Sequence, residues 1–146
     1  MAQNFLEYHI RKDSRMTFKV AAGETLYAGQ AVKIKSDNTV GKAGADDEAV
    51  IGIVYGGTVG NAALVGLGGD DMTQVGFSGD RKEVVTVIVG SGNLVYLKVA
   101  AAAIGAAVAP AATDYKVADP TKPLSIVGKV VAVNTKVAGF SLVLTR

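Results

Sequence analysis

Met16, Phe18 and Val20 alternate with Thr17 and Lys19, and the same period of two recurs in Val32–Lys33–Ile34–Lys35 and, more loosely, in Tyr96–Leu97–Lys98–Val99. Alternation at that period sends apolar side chains to one face of an extended strand. Short apolar or alternating runs of this kind predict strands over Met16–Val20, Ala31–Lys35, Val50–Val54, Ala62–Leu67, Val84–Val89, Leu94–Val99, Ile126–Val133 and Phe140–Leu144. Turn formers separate them: Ala22–Gly23, Ser36–Asp37–Asn38, Gly56–Gly57, Gly68–Gly69–Asp70–Asp71, Ser78–Gly79–Asp80 and Gly90–Ser91–Gly92–Asn93. Strands punctuated this closely predict an all-β fold, an antiparallel β-sandwich or small barrel. A jelly roll and an immunoglobulin-like sandwich fit the spacing equally well. Val84 to Val99 reads as a hairpin, two apolar runs around a Gly-Ser-Gly-Asn turn. Helix is weakly represented. Ala100–Ala103 favour it by propensity, but Gly105 and Pro110 cut it short, which predicts a compact turn or loop.

The pattern also repeats itself. At an offset of 76, Gly29 falls on Gly105, Val32 on Val108, Ile51–Gly52 on Val127–Gly128, Val54 on Val130 and Leu64 on Phe140. Val40 meets Val117 after a one-residue slip. The unit runs turn, apolar strand, polar turn near Asp37 or Asp114, then a strand of the form β-branched–Gly–x–β-branched. This predicts a duplicated strand unit, Leu26 to Gly68 and Ala102 to Leu144, packed about a pseudo-symmetric core. Each glycine would sit where a bulge or a close backbone approach excludes a side chain.

Composition narrows the picture. A chain of 146 residues predicts one domain with a core of its own. It has no cysteine, so disulfides and thiolate metal sites are excluded. Fifteen basic against 13 acidic residues give a formal charge of +2, too balanced to point to nucleic acid. The most apolar stretch, Val99 to Ala112, is shorter than the roughly 20 residues a spanning helix needs, so no membrane partner is expected.

Candidate chemistry is sparse. His9 is the one histidine, and Asp13 and Ser14 lie too near it along the chain to build a triad. No G-x-S-x-G surrounds any serine. Asp46–Asp47–Glu48, or Asp70–Asp71 with Asp80, offer carboxylates to a hard cation but lack EF-hand spacing. Gly66–Asp71 and Gly90–Asn93 carry neither phosphate-loop nor dinucleotide spacing and read as β-turns. No catalytic residue, cofactor or metal is therefore predicted.

The first fifteen residues stand apart from the domain at 16–146. Phe5, Leu6, Tyr8 and Ile10 precede a basic cluster of Arg11, Lys12 and Arg15. The segment reads as a first edge strand, or as an arm whose aromatic and basic side chains anchor a neighbour. Phe5, Leu6, Tyr8, Arg11, Lys12 and Arg15 are the first candidates for an interface, and Asp46, Asp47 and Glu48 the second.

Four stretches carry a resemblance: Ala22–Ile34, Glu48–Gly69, Val84–Ala109, and Pro123–Val133 with Gly139–Leu144. Their texture, an Ala–Gly turn, a valine-rich strand, an acidic turn and an Ile–Gly–x–Val strand, resembles the cement, or decoration, proteins of tailed-bacteriophage heads. The opening Asn4–Arg15 is less typical of that family. The resemblance implies a non-enzymatic virion protein on the outer capsid surface. Its partners would be the major capsid protein and further copies of itself, as a homodimer or homotrimer. The competing expectations are another virion component, of tail or fibre, and a carbohydrate-binding β module, the latter thinly served by a chain without tryptophan.

Overall fold

The computed structural model describes residues 6–57, 76–136 and 138–146. Among them the chain runs through β1 (Leu6–His9), β2 (Arg15–Val20), β3 (Thr25–Tyr27), β4 (Ala31–Ile34), β5 (Thr39–Lys42), β6 (Val50–Gly57), β7 (Gly76–Ser78), β8 (Val84–Ile88), β9 (Leu94–Leu97), β10 (Val99–Ala100), β11 (Ala107–Pro110), β12 (Tyr115–Val117), β13 (Gly128–Ala132) and β14 (Ser141–Thr145). Among the described residues the helical elements are single 3-10 turns at Lys12–Ser14, Gly79–Arg81 and Pro123–Ser125. The fold is all-β, as the alternation predicts. No helix among the described residues is long and apolar enough to cross a membrane. The strand expected over Ala62–Leu67 lies outside the described residues.

Strands β2-β5-β4-β6-β8 close into a barrel. A second sheet has the order β1-β9-β14-β13-β11-β12-β10. Only Lys98 separates β9 from β10, so the ends of the series β9-β14-β13-β11-β12-β10 are two pieces of one interrupted strand. Read as a cycle, that series is the barrel's own: β9/β10 stands for β2, β12 for β5, β11 for β4, β13 for β6 and β14 for β8. Pairing is antiparallel except at two places, and these correspond: β2 with β5 and β10 with β12 are parallel.

The registers match as well as the order. Val32 faces Gly52 and Val108 faces Gly128. The ladder of β6 with β8 slips between Val54 and Gly56, and that of β13 with β14 slips between Val130 and Ala132, at the offset of 76. Gly29 and Gly105 both take positive φ, 90° and 84°, and donate to Val54 O and Val130 O, each at 2.8 Å. A Cβ at Gly52 would lie 2.1 Å from Ile88 O, and one at Gly128 would lie 2.5 Å from Leu144 O. A close strand crossing therefore demands glycine twice, which accounts for the recurring β-branched–Gly pair.

The structure extends and corrects the duplication. It starts at β2 and β9 rather than at Leu26 and Ala102. The counterpart of Val40 is Tyr115 rather than Val117: Ile34 faces Val40 and Pro110 faces Tyr115. Turn lengths explain the difference. Lys35 N–H bonds Thr39 O, whereas Ala111 N–H bonds Asp114 O, one residue sooner. The hairpin over Val84–Val99 does not form. β8 pairs with β2 and β6, while β9 pairs with β1 and β14, so Gly90–Asn93 carries the chain from barrel to second sheet. Asn93 holds that crossing, its amide donating to Gly90 O at 3.0 Å and its Oδ1 accepting from Arg11 N–H at 2.6 Å. Ala107–Pro110, which follows the compact turn expected from Ala100–Ala103 and holds the Val108 that the repeat sets on Val32, is a strand because its backbone completes ladders with β12 and β13.

Two apolar clusters hold the parts. Val20, Val32, Val40, Val54, Val85 and Val87 fill the barrel, joined by Leu26 and Phe77 from the β3–β7 ribbon. The alternate residues of the same strands, Ala31, Ile53 and Ile88, face outward into the other cluster. There they meet Val95, Leu97, Val108, Tyr115, Val130 and Val143, the inward set of the second sheet. The two units thus pack outside against inside, which replaces the expected pseudo-symmetric core with a head-to-tail one. Tyr115 O–H donates to Gly29 O at 2.6 Å across this junction, and Asp46 N–H donates to Pro110 O at 3.0 Å.

Candidate interaction surface

Of the first candidates, Phe5 lies outside the described residues. Leu6 and Tyr8 belong to β1, whose backbone runs antiparallel on β9 with Leu6 opposite Tyr96, Glu7 opposite Val95 and His9 opposite Leu94. The described part of the arm is therefore an edge strand of the second sheet. Ile10 packs on the mixed apolar cluster and Ser14 is buried, so the segment from β1 to β2 contributes to the core. Lys12 starts the 3-10 turn that leads into β2. Arg11 is exposed and pairs with Asp13 at 3.1 Å. Arg15 lies over the ring of Tyr55, 5.1 Å from its centroid, a cation–π contact.

The acidic candidates divide. Asp47 staples its own loop: Oδ2 accepts from Gly44 N–H at 3.1 Å and Oδ1 from Ala49 N–H at 3.0 Å, while Lys33 pairs with it at 3.1 Å. Partial burial pushes its carboxyl up, but the bonds from Ala49, Gly44 and Lys33 together bring it below the ordinary carboxylate value. Asp46 has φ of 52° and pairs with Lys116 of the second unit, while its Oδ1 is buried without a hydrogen-bond partner. Glu48 is exposed and unpaired among the described residues. Two of the three carboxylates hold the fold, leaving Glu48 alone to face a partner. No hydrogen bond or ion pair among the described residues joins the acidic set to the arm. No group of three metal-ligating side chains occurs among the described residues. Asp80 accepts from Gly23 N–H at 3.0 Å, and Asp70 and Asp71 lie outside the described residues.

A surface that the sequence reading passed over lies on the outer side of β13, β14 and β9. Ladder partners share a face, and the rows there are Lys129–Leu144–Leu94 and Leu142–Tyr96. Leu144 is 40% and Val131 39% exposed, while Leu94, Tyr96 and Leu142 are half-buried. β1 lies along one side of this strip. Its signal was present in the sequence. Leu94–Leu97 and Leu142–Leu144 are apolar at successive positions, whereas Met16–Val20 alternates. A strand apolar on both faces has a second face to cover.

No protein-family model matches the chain, and no curated protein matches it.

The strip is apolar with Lys129 at the end of one of its rows, and Arg11 follows β1 along its side. It holds none of the converging titratable groups that bond-making chemistry uses.

Proposed function

We propose that the chain is a non-enzymatic cement protein that binds the outer surface of a phage capsid lattice and stabilises the expanded head. The observation that carries this reading is the outer apolar strip beside the edge strand β1, with Leu144 and Val131 exposed and Leu142 and Leu94 half-buried. The family texture of the sequence adds the identity of the partner, the major capsid protein. Further copies of the chain, as dimer or trimer, complete the lattice contact. Binding only to the expanded shell stabilises it by mass action, in proportion to the logarithm of free protein over dissociation constant. Repetition over many equivalent sites adds avidity without new contacts.

The test is co-sedimentation of the purified protein with expanded heads that lack it, titrated to saturation. Saturation at a copy number tied to the lattice supports the reading. A folded protein that never pellets overturns it in favour of a tail, fibre or sugar-binding role. A truncation probe must stop before β1. Removing 2–15 strips β1, Ile10 and buried Ser14 from the fold.

A further inference from the structure

We infer that the outer edge of β2, from Arg15 to Phe18, accepts an extended acidic segment of a partner protein as an added antiparallel strand. The repeat itself supplies the observation. In the second unit, β12 pairs with β10 only at Val99 and Ala100, and the upstream edge of β9 is taken by β1. In the barrel, β5 pairs with β2 only at Lys19 and Val20, and no strand among the described residues pairs with the edge upstream. Arg15 corresponds to Leu94 and Thr17 to Tyr96, because Arg15 faces Ile88 and Thr17 faces Thr86 as Leu94 faces Leu144 and Tyr96 faces Leu142.

Backbone polarity agrees. Val20 N–H bonds Glu83 O, and Val89 N–H bonds Ser14 O. By antiparallel alternation Met16 and Phe18 also turn their N–H and C=O groups to β8, while Arg15 and Thr17 turn theirs outward. Thr145 N–H bonds Asn93 O in the same phase, so Leu94 and Tyr96 turn toward β1. The barrel thus repeats the half-ladder that β1 fills in the second sheet, with no strand of the described residues upon it.

Charge selects the occupant. Arg15, Met16, Thr17 and Lys19 are exposed, with Met16 at 55%. Two copies pairing their β2 edges about Thr17 would set Arg15 against Lys19 twice, and like charges placed opposite each other repel. The chain's own β1 is already engaged on β9. An extended segment with outward carboxylates meets Arg15 and Lys19 favourably, and main-chain bonding supplies the rest of the contact. This rests on the cement reading, which makes the donor an acidic extended segment of the major capsid protein.

The experiment compares wild type, Thr17→Val and Thr17→Pro in the same shell titration, with each fold checked by circular dichroism. Proline removes the outward N–H, and its ring fills the space a new strand would use, while the β8 ladder stays whole. Wild type and Thr17→Val should bind alike, and Thr17→Pro should bind about tenfold weaker or worse. Equal binding of Thr17→Pro overturns strand addition, and so does equal loss in both variants, which would mark a side-chain contact. Amide hydrogen exchange of the wild type on shells decides the matter even where Thr17→Pro fails to fold. Arg15 and Thr17 should slow on binding while Met16 and Phe18 stay unchanged, and unaltered exchange at 15 and 17 overturns the inference. Wild type that does not pellet ends the cement reading itself, a failure seen before any variant is compared.

Discussion

The barrel and the second sheet share strand order, register, bulge and ladder glycine, yet their outer faces serve different ends. Ile53 and Ile88 on the barrel are buried at 1% and 2% beneath the second sheet. Their counterparts Lys129 and Leu144 are exposed. Tyr55 under Arg15 becomes Val131, and Thr86 becomes Leu142. The backbone plan has been kept while the outward side chains were rewritten. The repeat is therefore a statement about folding, and the differences between its halves are where binding is to be sought.

The strongest break in the comparison is at the ladder glycines. Gly52→Ala and Gly128→Ala should each lower stability by roughly 2–3 kcal/mol, since a Cβ meets backbone in both. Gly52 should lose more, having the closer contact, and Gly56→Ala, with open space, should lose little. Denaturant unfolding measures all three, and a harmless Gly128→Ala would dissolve the equivalence of the two crossings.

Next comes the junction between units. Tyr115→Phe leaves Gly29 O without its buried donor and should cost about 1–2 kcal/mol. Burial, with the charge of Asp114 adding to it, pushes the phenol above its ordinary value. The unfolded chain therefore ionises first. Stability is full below a pH of about 10 and falls as pH rises above it. The barrel counterpart of Tyr115, Val40, carries no ionisable group, so Tyr115→Phe should flatten the alkaline limb of a stability–pH curve.

A smaller effect belongs to the Asp47 loop, which the barrel has in this form. Its carboxyl is held below the ordinary value, so its contribution is present above about pH 4 and is lost as pH falls through the folded-state value. Asp47→Asn should cost about 0.5–1 kcal/mol at neutral pH, after allowance for solvent screening, and weaken the acid limb. The smallest stability change is expected for Leu144→Glu, within about 0.5 kcal/mol. The same variant should lose shell binding, and intact binding would remove the apolar strip from the interface.

Much of this was legible in the chain. Strands declare themselves where one face is polar, as in Met16–Val20, and the glycine pairs expose the repeat. The rest was hidden for physical reasons. Ala107–Pro110 has weak strand propensity and is extended because two ladders need its backbone. The equivalence of Val40 and Tyr115 is masked by one residue missing from a turn. A Gly-Ser-Gly-Asn segment suits a hairpin and a crossing alike, and the partners that β8 and β9 take, with Asn93 bonding to Arg11, Gly90 and Thr145, distinguish them. Carboxylates at Asp46 and Asp47 look free in sequence because their partners, Lys116 and Lys33, come together only on folding.

Packing outside against inside has a consequence for ancestry. A lone unit carrying both complementary surfaces would add to itself without end, since such a contact need not close. Joining two units in one chain uses one contact internally and leaves a single terminal outer face. At that face Lys129 stands where Ile53 stands in the barrel, a charge that rejects a third unit. In a duplicated pair of units, replacements of this kind would work against the open-ended addition that a head-to-tail contact otherwise allows.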